Sequence, residues 1–83
     1  MNIERIKSDL NDVFREVFEN DSILIFDEMT ANDVSEWDSL NHINLIVAVE
    51  KRFKVSFTTR ELSSLRNVGE FIKLIRKYLP SGV

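Results

Sequence analysis

The chain has no cysteine, one proline, two glycines, one tryptophan and one tyrosine among its 83 residues. Without cysteine, neither a disulfide framework nor a thiolate metal site can hold so small a fold together, and stability has to come from packed apolar side chains. So little proline and glycine, beside 43% apolar residues, suits helices with short connections. No apolar run reaches the length of a membrane span, and Met1 leads into Asn2, Glu4, Arg5 and Lys7 rather than an apolar signal core. The sequence thus leads us to expect a cytoplasmic protein with no membrane insertion. A chain this short buries only about 60% of its unfolded surface, which leaves little room for an enclosed catalytic cleft. We expect a monomer with one domain over residues 1–80 and a frayed tail at 81–83, suited to carrying or binding rather than catalysis.

A formal net charge of −3 gives no reason to expect a nucleic-acid partner, yet it conceals an uneven distribution. Up to Asp38 the chain has eleven acids against three bases, and from Ser39 onward three acids against eight bases.

Ile3, Ile6, Leu10, Val13, Phe14, Val17 and Phe18 recur at steps of three and four, the stripe of an amphipathic helix from about Asn2 to Phe18. Glu19 to Ser22 break the pattern, and no period is sustained from Ile23 to Trp37. A long loop is expected there, with Ile23, Leu24, Ile25, Phe26, Met29 and Val34 as apolar anchors and room for a helical turn around Thr30 to Asp33. Asp38 and Ser39 are both good helix-start residues ahead of Leu40, Ile43, Ile46, Val47, Val49 and Phe53, so a second helix should run from Ser39 to about Arg52. Val55 and Phe57 follow in extended form. Thr58 with Glu61 has the spacing of a capping box for a short third helix reaching Leu65, and Asn67 with Glu70 repeats it. The last helix carries Val68, Phe71, Ile72, Ile75 and Leu79 inward and stops before Pro80.

The informative stretch is Glu36-Trp37-Asp38-Ser39-Leu40-Asn41-His42-Ile43, where an acidic loop enters an amphipathic helix. Asp38-Ser39-Leu40, then an apolar helix ending in Glu50-Lys51-Arg52-Phe53, then Val55, resembles the modification site and second helix of acyl and peptidyl carrier proteins. Asn67-Val68-Gly69-Glu70 resembles the start of their last helix, so the likeness spans nearly the whole chain. It implies an all-α, four-helix carrier-protein bundle with a long loop between the first two helices. It also implies 4'-phosphopantetheine, drawn from coenzyme A and attached covalently at Ser39, with Asp38 as its motif neighbour. The implied partners are a phosphopantetheinyl transferase, an acyl- or aminoacyl-loading ligase or synthase, and downstream acyl-processing enzymes of fatty-acid, polyketide or other specialised biosynthesis. A phosphodiester at Ser39 would meet the unpaired N–H groups and positive dipole end of the second helix.

Other readings stand beside this one. Ser39 on its own could simply cap a helix. Asp38, Ser39 and His42 could suggest a hydrolase, but residues this close on one helix leave no group behind the imidazole and no separate oxyanion hole. The acids Asp27, Glu28, Asp33, Glu36 and Asp38 lack the alternating spacing and central glycine of a calcium loop, so no dedicated metal site is expected. Trp37 is expected to pin the loop to the bundle by apolar contact. Carriers of this kind commonly show a markedly acidic second helix, whereas here Asn41, His42 and Asn44 follow Ser39 and Lys51 and Arg52 close the helix. That departure favours a dedicated, specialised carrier whose candidate partner surface is Leu40, Asn41, His42, Ile43 and Val47. An unmodified adaptor that kept the carrier fold is the alternative.

Overall fold

The first apolar stripe folds as helix α1, Ile3–Phe18, in the computed structural model, which describes residues 2–79. Asn2 starts it, its Oδ1 accepting the Arg5 N–H at 2.8 Å. Glu19 ends it in the left-handed conformation, φ 52°, an arrangement that costs a residue other than glycine roughly 1 kcal/mol. Helices α2 (Ser39–Phe53), α3 (Thr59–Ser63) and α4 (Val68–Tyr78) follow, and a single 3-10 turn at Ala31–Asp33 interrupts the long connection. The fold is the expected all-α bundle of four helices, with no strand among the described residues. None of these helices is long and apolar enough to cross a membrane. Pro80 and the tail expected at 81–83 lie outside the described residues.

α1 packs against both α2 and α4. Ile6, Leu10 and Phe14 of α1, Leu45 and Val49 of α2, and Val68, Phe71 and Ile75 of α4 form the innermost layer of the core. The acidic first half and the basic second half meet across the α1–α2 contact: Arg52 lies 3.2 Å from Asp9 and 3.8 Å from Asp12, and Arg5 lies 3.6 Å from Asp9. Asp9 is buried, and Arg52 is held against α1 by its charge.

Residues 19–38 keep an ordered course because α1 and α4 supply the hydrogen bonds that the segment cannot make with itself. The buried Asn11 accepts the Ile25 N–H at Oδ1, 2.8 Å, and Arg15 donates from Nε to the Ile23 carbonyl at 2.7 Å. On the other side, the Val68 and Gly69 N–H groups at the start of α4 donate to the carbonyls of Met29 and Asp27 at 2.9 and 2.8 Å. Gly69 permits this approach, since a Cβ there would lie 3.1 Å from the Asp27 carbonyl oxygen. Ile23, Ile25, Met29 and Val34 are buried as expected, but Leu24 and Phe26 are 75% and 46% exposed. Once Asn11 fixes the backbone at Ile25, successive side chains of this extended stretch alternate in direction, and Leu24 and Phe26 fall on the outer side.

Both turns of the α2–α3–α4 region carry their expected caps. Thr58 and Glu61 form a full capping box, and Asn67 Oδ1 accepts the Glu70 N–H at 2.9 Å. The Glu70 carboxylate, however, takes the Arg66 N–H at 2.7 Å rather than that of Asn67, so the second motif is a cap without the reciprocal bond. α3 stops at Ser63, two residues short of Leu65. Glu61 also ties α3 to the end of α4, accepting hydrogen bonds from the Tyr78 hydroxyl and, at 3.2 Å, from Lys77. The Tyr78 hydrogen bond, with the Thr58 N–H behind it, holds the Glu61 carboxyl down to about 2, well below its ordinary 4.5. A carboxylate depressed in the fold stabilises it above the unfolded value, and the effect is lost as pH falls from about 4.5 toward 2. Glu61→Gln is therefore expected to lower the thermal midpoint at pH 7, with the gap to the unaltered protein closing as pH falls through that window. Thermal melts in steps from pH 7 to pH 2 read this directly.

Candidate functional site

Ser39 is the first residue of α2 and is exposed, at the end of the long connection. Asp38 sets the helix start: its Oδ1 accepts the Asn41 N–H at 2.8 Å, and its carbonyl accepts the His42 N–H at 2.8 Å. The N–H groups of Ser39 and Leu40 lie in the first turn, before any intrahelical acceptor. The geometry thus combines an exposed hydroxyl, a capped helix start and free amide donors, a setting suited to an anionic ester. Because Ser39 is exposed, a phosphodiester attached to its hydroxyl would displace no buried side chain.

The approach to the serine is fixed from three sides. Asn41 Nδ2 donates to the Glu36 carbonyl at 2.8 Å, and Asn20 Nδ2 donates to Glu36 Oε2 at 3.1 Å. Trp37 packs edge-on against Phe14, ring centroids 5.2 Å apart, and lies 6.0 Å from Phe18, which is the apolar anchoring expected of it. Its indole N–H donates to His42 Nδ1 at 3.0 Å. That bond was not legible from sequence; its one trace is the five-residue separation that lets a loop residue reach one turn into the following helix. It also counts against the hydrolase reading, because the imidazole nitrogen nearest the chain is already engaged and no hydrogen bond joins His42 to the Ser39 hydroxyl. Among the described residues, no group of three or more histidine, aspartate or glutamate side chains is placed to hold a metal ion.

Beyond the serine, α2 shows an apolar strip to solvent: Leu40 is 69%, Ile43 61% and Val47 45% exposed. Asn41 and His42 are half-buried, turned toward the loop rather than outward. The helix buries Leu45, Ile46, Val49 and Phe53 instead, Leu45 completely, although Leu45 had no place in the face read from sequence. No carboxylate lies on α2 between Asp38 and Glu50, and Glu50 itself is occupied by the Phe57 N–H at 2.9 Å. Replacing Asp38 by alanine removes the cap at the serine and is expected to lower stability by about 1 kcal/mol. Urea unfolding of the two proteins, compared at constant slope, measures it.

The site is therefore one exposed serine at a capped helix start in a small helical bundle. No family model matches the chain, and a search of curated proteins likewise returns no match. Among solved structures, a solution NMR structure of a holo acyl carrier protein from Geobacter metallireducens is similar, with a TM-score of 0.83 and 44% sequence identity over 87% of this chain and 83% of that one. The chain belongs to the acyl carrier protein family, and it is a carrier, not an enzyme.

Proposed function

We propose that this protein carries acyl or aminoacyl groups as thioesters on a 4'-phosphopantetheine arm attached to Ser39. The observation that carries the reading is the position of Ser39: exposed, first in α2, behind the Asp38 cap, within the Asp-Ser-Leu motif of the family. When attached, the arm supplies the thiol that takes the cargo. The chain's own residues present the hydroxyl, hold the helix start and offer amide donors to the phosphodiester. The similar Geobacter metallireducens carrier is described in its holo form, which supports the same arm here. A cytoplasmic phosphopantetheinyl transferase would load the arm from coenzyme A, and a ligase or synthase would charge it.

The pathway is a specialised one in this reading. The strip of Leu40, Ile43 and Val47 beside neutral Asn41 and Asn44 offers apolar rather than acidic contact to those enzymes. Incubation with coenzyme A, magnesium and a broad-specificity phosphopantetheinyl transferase, followed by intact mass, is expected to add one phosphopantetheinyl group to the protein and none to Ser39→Ala. No gain with several transferases would favour an unmodified adaptor acting through α2. Ile43→Asp is expected to slow the same mass gain about tenfold, equivalent to roughly 1.4 kcal/mol of lost apolar contact in the encounter. The initial rate at fixed transferase concentration measures that loss.

A further inference from the structure

Glu36, three residues before the serine, is held at both its ends. Its main-chain carbonyl accepts two hydrogen bonds, from the Asp38 N–H at 3.0 Å and from Asn41 Nδ2 at 2.8 Å. Its carboxylate accepts two more, Oε1 from the Ser35 hydroxyl at 3.2 Å and Oε2 from Asn20 Nδ2 at 3.1 Å. We propose that Asn41 and Asn20 are positioning residues for modification of Ser39, gripping Glu36 from opposite ends so that the turn in front of the serine keeps one conformation. The inference rests on Ser39 being the attachment point.

The turn depends on that grip. The Asp38 N–H reaches back only two residues, so its bond to the Glu36 carbonyl closes a three-residue turn, and no other main-chain donor among the described residues holds that carbonyl. Asn41 fastens the turn on both sides. Its side chain donates to Glu36 ahead of it, and its own N–H donates to Asp38 Oδ1 at 2.8 Å behind it. Ser39 lies inside this span, one residue after Asp38 and two before Asn41. Asn20 supplies the far grip from the end of α1. Its N–H donates to the Arg15 carbonyl at 3.0 Å and its Oδ1 accepts the Ser22 N–H at 3.0 Å, so the amide is fixed before Nδ2 meets Glu36. Through Glu36 the approach to the serine is thus tied both to α1 and to the first turn of α2.

Asn20, Glu36 and Asn41 are half-buried, whereas Asp38, Ser39 and Leu40 are exposed. The two amides therefore face the chain and not a partner. A role for position 41 in charge attraction makes the opposite prediction: if the first turn of α2 met a basic transferase through charge, an acid there would speed modification. In the clamp an acid is harmful, because a carboxylate cannot donate and would set two acceptors against each other at the Glu36 carbonyl. The helix itself tolerates the change, since Asn41 is the third residue of α2 and a negative charge in the first turn suits the helix dipole. Asn41→Asp thus separates the two roles by the sign of its effect.

The full chain, Asn41→Asp, Asn20→Ala and the double variant would be compared as substrates of a broad-specificity phosphopantetheinyl transferase with coenzyme A and magnesium. Initial rates of mass gain over a range of carrier concentrations separate kcat from KM. For Asn41→Asp, kcat is expected to fall about fivefold, the size of one lost hydrogen bond, with KM for the carrier changed less than about twofold. Asn20→Ala is expected to lower kcat as well, and the double variant to lose no more than Asn41→Asp alone, because both amides act through Glu36. In parallel, hydrogen exchange at the Asp38 N–H, read by NMR, is expected to quicken about fivefold in Asn41→Asp. A rate for Asn41→Asp equal to or above that of the unaltered protein, a raised KM at unchanged kcat, additive losses in the double variant, or unchanged Asp38 exchange overturns the proposal. If the unaltered protein itself gains no mass, carriage at Ser39 fails and the positioning role with it, while Asp38 exchange decides whether the clamp on Glu36 exists.

Discussion

One buried amide, that of Asn11, sets the course of the whole segment that leads to the serine. Residues 19–38 contain no helix beyond a single 3-10 turn and a few isolated turns, yet their backbone polar groups cannot be left unpaired where they pass over the core. Asn11 accepts from Ile25 and Arg15 donates to Ile23, which locks the first part of the segment against α1. From that lock follow the burial of Ile23 and Ile25, the outward turn of Leu24 and Phe26, and the line along which the chain reaches Met29 and the start of α4. An apolar residue in place of Asn11 would keep the stripe of α1 intact and still leave the Ile25 N–H without an acceptor, a loss of about 1–3 kcal/mol.

The serine end of α2 and its far end do different work. At the start, Asp38 caps the helix while Asn41 and His42 turn back to the loop, so that polar side chains near Ser39 are spent on holding the entry to the helix. The outward face is then left to Leu40, Ile43 and Val47. At the far end Arg52 is drawn down onto Asp9 and Asp12 of α1. The unequal charge of the two halves of the chain is thereby used in part inside the fold, as an attraction between its first and second helices, and is not wholly a signal to partners.

The helices were legible because their signals are local. Asp38, Thr58 and Asn67 sit three residues before the N–H groups they cap, and the stripe of α1 has a clean period. The turn at Ala31–Asp33 carries its own small capping box through Thr30 and Asp33. What sequence did not give was the buried face of α2. Leu40, Ile43, Leu45, Ile46, Val47, Ala48 and Val49 put apolar groups nearly all round that helix, so period cannot choose a side, and the choice falls to packing against α1. The Trp37–His42 bond and the Asn11 contacts were hidden for a related reason: each depends on where a loop without period is laid down by partners distant in the chain. The place of Ser39 at the start of α2 was legible from its helix-start residues, while the hydrogen bonds that fix its surroundings were not.

The contact of Val68 and Gly69 with Met29 and Asp27 has a consequence for the order in which the molecule is made. During synthesis α1, the long connection and α2 emerge first, and the connection then has only the α1 side of its two supports. Its second support is the beginning of the last helix, so the platform in front of the serine is completed only once α4 is available to fold against it. An enzyme that reads that platform, rather than the bare three-residue motif, would thereby act on chains whose α4 has docked and pass over those whose α4 has not.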